Sequence, residues 1–113
     1  MRLLLVVLLL SGCGADATCA REPALTWENF GQGFTATWCA GCHSRLLEGA
    51  DRHGAPEGVD LHDLAGVLEH ADRYAARAVG PAPSMPPAGG PGADELLLAD
   101  EWLSCAVLPR AGR

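Results

Sequence analysis

Residues 80–92 read GPAPSMPPAGGPG, and nine of these thirteen are Gly or Pro. Proline fixes φ and has no N–H to donate, and glycine favours turns, so this stretch can be neither a helix nor a paired strand. It is too long to be a simple connection in a small domain. Loops of this length without regular structure are either disordered or wrapped around something.

The segments on either side are helical in pattern. Thr26 is a good N-cap, and Trp27, Phe30 and Phe34 follow at spacings that share one helix face. Gly31 and Gly33 each weaken that helix by roughly 1 kcal/mol relative to Ala, which suggests they serve close packing. RLLEGADRHGAPEG, residues 45–58, reads as a loop. A second helix is expected from Asp60 as N-cap to about Val79, with Leu61, Leu64, Leu68, Ala71, Ala75 and Ala78 as its apolar stripe. The last helix is DELLLADEWLSCAVL, opened by Asp94 and Glu95, with Leu98, Trp102 and Cys105 on one face and Pro109 as its stop. Strand signal is nearly absent: beyond residue 12 there is no Ile, and Val stands only at 59, 67, 79 and 107. The chain is therefore expected to be all-α, three main helices joined by long loops. With 113 residues and few large side chains its core is thin. A bulky apolar cofactor would act as core and give the loops something to wrap.

The N-terminus, MRLLLVVLLLSGCG, has one positive residue, Arg2, before eight apolar residues at 3–10. Spanning a bilayer takes about 20. This is the pattern of an export signal. Leu10 to Cys13, LSGC, resembles the lipobox of bacterial lipoproteins. The resemblance implies acylation of Cys13, cleavage before it, and stable anchoring by two or more acyl chains. Gly14 follows rather than Asp, so an inner-membrane retention signal of the enterobacterial kind is not evident. The expected organisation is a signal peptide at 1–12, a tether at 13–25, a domain at 26–108 and a short tail at 109–113. Outside the cytoplasm thiols are oxidised, so the five cysteines, 13, 19, 39, 42 and 105, should all be occupied. Lipid on Cys13 leaves an even four.

Charge narrows the partners. All 8 basic residues are Arg, against 14 acidic ones, for a formal net charge of −6. Such a surface argues against nucleic acid and against adsorption to anionic lipid, and suits protein partners with basic docking surfaces.

The richest chemistry lies in TATWCAGCHS, residues 35–44. Cys39-x-x-Cys42 after Trp38 has the form of a thioredoxin-type redox pair, with Cys39 as nucleophile. That fold needs a β-branched strand just before the motif and a sheet after it, and neither is visible. A zinc site would need Cys39, Cys42 and His43 plus one of His53, His62 or His70, and no closed His pair exists. The third reading uses every residue: two thiols three apart can each add to a porphyrin vinyl group, and the following His43 can ligate the iron.

Taken with SMPP at residues 84–87 and a Trp-bearing last helix, in that order, the chain resembles a small class I c-type cytochrome over roughly residues 26–108. The resemblance implies a cytochrome c-like fold around one covalently bound haem c, with Cys39 and Cys42 as thioethers, His43 as proximal iron ligand and Met85 as distal ligand. Rivals for the distal position are His53, His62 and His70, each expected at the surface, or an open sixth site. In that family the first and last helices cross through aromatic-to-glycine contacts, so Phe30, Gly31, Gly33 or Phe34 should meet Trp102. A Cys19–Cys105 disulfide becomes feasible on that basis, an addition to the family's common pattern. The function implied is electron transfer at the periplasmic face of a bacterial membrane, as a carrier rather than an enzyme, though it could serve as the electron-entry subunit of a larger oxidoreductase. Two other readings stay open: a thiol-disulfide oxidoreductase using Cys39 and Cys42, and a structural lipoprotein in which both cysteine pairs are plain disulfides.

Overall fold

A computed structural model describes residues 19–112 of the chain; Cys13 and the signal segment lie outside them. The described residues are helical, with no strand among them. The chain enters its first helix through a capping box. The Thr26 hydroxyl accepts from the Asn29 amide N–H at 3.1 Å, and the Asn29 side chain accepts from the Thr26 N–H at 2.7 Å, which satisfies two otherwise orphaned donors. A π-helical turn, Trp27–Gly31, then runs directly into α1, Gln32–Trp38. Gly31 lies against the indole of Trp102 so closely that a Cβ would overlap the ring. Gly33 has open space around it, so only Gly31 of the two glycines is there for packing.

The single helix expected from Asp60 to Val79 is two helices, and it starts later. Asp63, not Asp60, is the N-cap of α2, Leu64–Glu69, with its side chain accepting from the Gly66 N–H at 2.8 Å. Asp60 is otherwise engaged: its carboxylate pairs with Arg52 at 2.9 Å, and its carbonyl lies where a Gly66 Cβ would stand. The Leu61 N–H is used as well, on the His43 carbonyl at 2.8 Å. At His70 the backbone leaves helical geometry, with φ −109° and ψ 21°, before α3, Ala71–Ala78. The break re-aims the buried face. Val67, Ala71, Tyr74 and Ala78 are buried, while Leu64, Leu68 and Ala75 of the expected stripe are only half-buried. The expected loop at 45–58 contains a short 3-10 turn, Gly49–Arg52, that carries Arg52 inward.

The last helix, α4, is Ala93–Trp102 and continues as a π-helical turn, Leu103–Val107. Its buried residues are Ala99, Trp102, Leu103 and Val107; Leu98, expected on that face, is half-buried. Trp102 is the hub of the core. Trp27, Phe30 and Tyr74 stand around it with ring centroids 6.2, 6.1 and 6.1 Å away, the last two edge-on. Side chains of this size each contribute a few kcal/mol through burial, and tilted or edge-to-face pairs add about 1 kcal/mol. The far end of the crossing is closed covalently by the Cys19–Cys105 disulfide, Cα–Cα 5.5 Å across a sequence separation of 86. Beside it Arg21 and Glu101 form a two-pronged ion pair at 2.6 and 3.1 Å. Glu101 is held below the usual carboxylate range by the Arg21 hydrogen bond, so what the pair contributes is present above the unfolded pKa and lost as pH falls through the folded one.

The two glycines of the first helix give opposite expectations. Gly31→Ala forces a methyl group into the Trp102 ring and should destabilise by about 1–3 kcal/mol, the usual effect of overpacking. Gly33→Ala should stabilise by about 0.5–1 kcal/mol through helix propensity. Urea unfolding of the two variants checks the pair, and equal effects would place the close contact elsewhere.

Candidate functional site

The end of α1 delivers three reactive side chains in five residues. Cys39 terminates the helix with φ −122° and ψ −47°, and its carbonyl accepts from the Cys42 N–H at 3.2 Å and the His43 N–H at 2.9 Å. This tight turn keeps both thiols and the imidazole at one end of α1. Cys39 and Cys42 are half-buried and are separate thiols.

Around Cys39 the structure is partly polar and well ordered. Its Sγ lies 3.6 Å from the Tyr74 hydroxyl, which also shares a buried hydrogen bond with Thr35 Oγ1 at 2.8 Å. Burial pushes the Cys39 thiol up, the Tyr74 hydroxyl partly opposes this, and neighbouring Cys42 adds to it. Tyr74 is itself strongly raised, first by burial and then by Cys39. At neutral pH both groups are therefore protonated.

His43 is half-buried, and its orientation is set from behind. Nδ1 stands 3.0 Å from the Val59 carbonyl oxygen. A carbonyl can only accept, so Nδ1 carries a proton, which in the neutral ring leaves the lone pair to Nε2. That is the arrangement in which a ligating imidazole is normally held. Its backbone is fixed too, through the bond from the Leu61 N–H.

Met85 comes from the Gly- and Pro-rich loop. The N–H groups of Ser84 and Met85 both donate to the Arg77 carbonyl, at 2.8 and 3.0 Å, which ties the loop to the end of α3. Met85 is 42% exposed. It faces Cys39 across an apolar pocket lined also by Phe34, Trp38, Ala78 and Leu96, with Pro86 and Pro91 at the loop side. Trp38 is held there by its indole N–H, which donates to Glu95 at the start of α4 at 2.9 Å. The enclosed part of this pocket is about 20 Å³, close to the room one water needs. Thus the structure brings Cys39 and Met85 to one pocket, with Cys42 and His43 on the turn that leads away from Cys39. The donor set matches haem c: two free thiols, an imidazole and a thioether. A porphyrin needs more room than this pocket encloses, and the 80–92 loop beside it is largely exposed.

The rival histidines differ from expectation in one case. His53 is exposed, in the left-handed region at φ 50°, and His70 places Nε2 3.0 Å from the Gly58 carbonyl. His62 is half-buried: both ring nitrogens are buried without a hydrogen bond, and the Asp63 carboxylate lies 3.4 Å from Nε2. It does not line the pocket of Cys39 and Met85. Among the described residues no three His, Cys, Asp or Glu side chains converge to hold a metal ion. The sequence reading missed two residues of the site, Tyr74 and Arg52. Tyr74 is the only Tyr of the chain, on the apolar helix beside the expected stripe, and that was its available signal. Arg52 gave none.

No model of a known protein family, no curated protein and no solved structure matches the chain.

Removing the Tyr74 hydroxyl separates its two roles. Tyr74→Phe leaves buried Thr35 Oγ1 without that partner, which should cost about 1–3 kcal/mol. It also takes away the one contact that lowers the Cys39 pKa. Alkylation of Cys39 should then begin at still higher pH than in the wild type, where it already trails an ordinary thiol. Iodoacetamide labelling followed across pH, read by peptide mass, gives the order; a Cys39 that reacts first at neutral pH would contradict it.

Proposed function

We propose that this protein is a lipid-anchored electron carrier facing the periplasm, with one haem c attached through Cys39 and Cys42. The observation that carries the reading is the His43 Nδ1 bond to the Val59 carbonyl, directly after a pair of free thiols. It prepares an imidazole for metal ligation at the position where the sequence motif requires one. Met85, across the pocket from Cys39, is the distal donor. Bound there, haem would supply one-electron redox chemistry at the iron. The chain's own residues do the rest: Cys39 and Cys42 retain the group covalently, His43 and Met85 donate to the iron, and Phe34, Trp38 and Leu96 keep water from it. A His and Met pair holds the potential above that of two nitrogen donors. The cytochrome c-like fold belongs to the same proposal.

The acidic surface favours redox partners with basic docking faces, and acylated Cys13 supplies the membrane anchor. A thiol-disulfide oxidoreductase is less well supported, because such enzymes lower the pKa of the attacking thiol and burial here raises it. The structural-lipoprotein reading is weakened because Cys39 and Cys42 stand as separate thiols while Cys19 and Cys105 are joined.

Protein made with the haem-attachment machinery should be red, with a sharp α-band on reduction, and should keep its haem through denaturation and acid extraction. Cys39→Ala with Cys42→Ala should abolish that retention. Loss of haem from denatured wild type would sink the proposal. Met85→Ala should lower the reduction potential and remove the weak red band of ferric sulfur ligation, whereas His53→Ala, His62→Ala and His70→Ala should keep both. A high-spin His62→Ala protein would reassign the sixth ligand to His62. Separately, Cys13→Ser should leave the spectrum unchanged and move the protein from the detergent to the aqueous phase.

A further inference from the structure

The loop between His43 and α2 is built around a charge. Arg52 is 1% exposed, the one charged residue among the described ones that is buried. Its guanidinium has six oxygen acceptors within hydrogen-bond distance, so the two N–H groups of Nη1 are shared among three. Nε bonds the Ala55 carbonyl at 3.2 Å. Nη1 bonds the carbonyls of Ser44 at 2.6 Å and Leu47 at 3.4 Å and the Asp60 carboxylate at 2.9 Å. Nη2 bonds the carbonyls of Pro56 at 2.7 Å and Val59 at 3.2 Å. Five of the six acceptors are backbone oxygens, so the guanidinium acts as the template on which the loop closes. Arginine suits this because its planar fork presents five N–H groups in fixed directions and stays charged.

One acceptor is shared. The Val59 oxygen takes the Arg52 Nη2 bond and, at 3.0 Å, the His43 Nδ1 bond. Two donors on one carbonyl draw on the same electron density, so each weakens the other's bond. A strong acceptor at Nδ1 gives a ligating imidazole imidazolate character and makes it a better donor. A weakened acceptor does the reverse.

We infer that Arg52 is a positioning and tuning residue for His43: through the shared Val59 carbonyl it fixes the imidazole and limits its donor strength, which raises the reduction potential of the site. The inference rests on the haem reading, because only a metal turns the strength of that hydrogen bond into a potential. The groups that moderate the guanidinium are Asp60, in direct contact, and Glu57, 75% exposed with its carboxylate 4.0 Å from Nε.

The signs follow from the geometry. Arg52→Gln frees the Val59 oxygen for His43, strengthens imidazole donation and stabilises ferric iron. At a fixed ambient potential the oxidised-to-reduced ratio should rise by about tenfold, which for one electron is about 59 mV downward. Arg52→Lys keeps the charge but not the fork, and should shift the ratio the same way by less. Asp60→Asn removes the carboxylate that offsets the guanidinium, so the pull on Val59 grows and the potential should rise.

Two measurements on the holoprotein test this: the reduction potential, and the iron–histidine stretching frequency by resonance Raman after photolysis of the ferrous carbonyl, taken in a Met85→Ala background. The expected result is a lower potential with a higher stretching frequency for Arg52→Gln, and both changes reversed for Asp60→Asn. General loosening of the loop would lower the potential in both variants and leave the stretch unmoved; that result overturns the inference. If the Arg52 variants yield no holoprotein, Asp60→Asn decides alone, and an unchanged stretch there overturns it as well. Wild type without covalent haem would overturn the haem reading, and this inference with it. Wild type with haem but Arg52-independent stretching overturns this inference only.

Discussion

The contact of Gly31 with the face of Trp102 is the constraint on which the rest of the structure depends. It lets the first helix approach α4 at a distance that any side chain at 31 would forbid. Once that crossing is made, Trp27, Phe30 and Tyr74 close around the indole, and the segment entering the first helix comes alongside the end of α4. Cys19 then reaches Cys105 and Arg21 reaches Glu101. The disulfide constrains the unfolded chain over 86 residues of separation, worth about 4 kcal/mol on the chain-entropy account, and so reinforces a crossing that packing has already selected.

The site is built on two supports of different kind. Cys39 leans on the aromatic core through Tyr74, which also binds Thr35. His43 leans on a polar loop whose centre is the Arg52 guanidinium. Packing holds the first support; hydrogen bonds to backbone carbonyls hold the second. The third side, the 80–92 loop with Met85, is tied by the Arg77 carbonyl to the end of α3 and is otherwise mostly exposed. On the proposed function this asymmetry is useful, since the two firm supports fix the covalent and proximal attachments while the looser wall makes room for the haem.

Much of this was legible in the residues. The N-cap at Thr26, helices without strands, the stop at the Gly- and Pro-rich stretch and the crossing of the first helix against Trp102 were all expected. The later start of the second helix was not, because Asp60 is as good an N-cap letter as Asp63. Only the loop chemistry decides between them, by engaging the Asp60 carboxylate with Arg52 and the Leu61 N–H with His43. Leu98 and Leu68 were expected inside for the same reason: periodicity names a face, and small changes of helix direction rotate it.

What the sequence determined by itself was the reactive set and its order: two thiols three apart, a histidine next to them, one methionine in a loop that can form no regular structure, and helices without strands. Those properties are local, fixed by covalent spacing, by proline's missing N–H and by side-chain periodicity. What only the tertiary structure decided was how each group is held. That Nδ1 of His43 carries a proton, that the Cys39 thiol is raised, that the ring nitrogens of His62 are buried and that Arg52 shares a carbonyl with His43 all depend on residues brought together by the fold. Hydrogen-bond partners and desolvation are properties of a place in the fold, and no spacing along the chain encodes them.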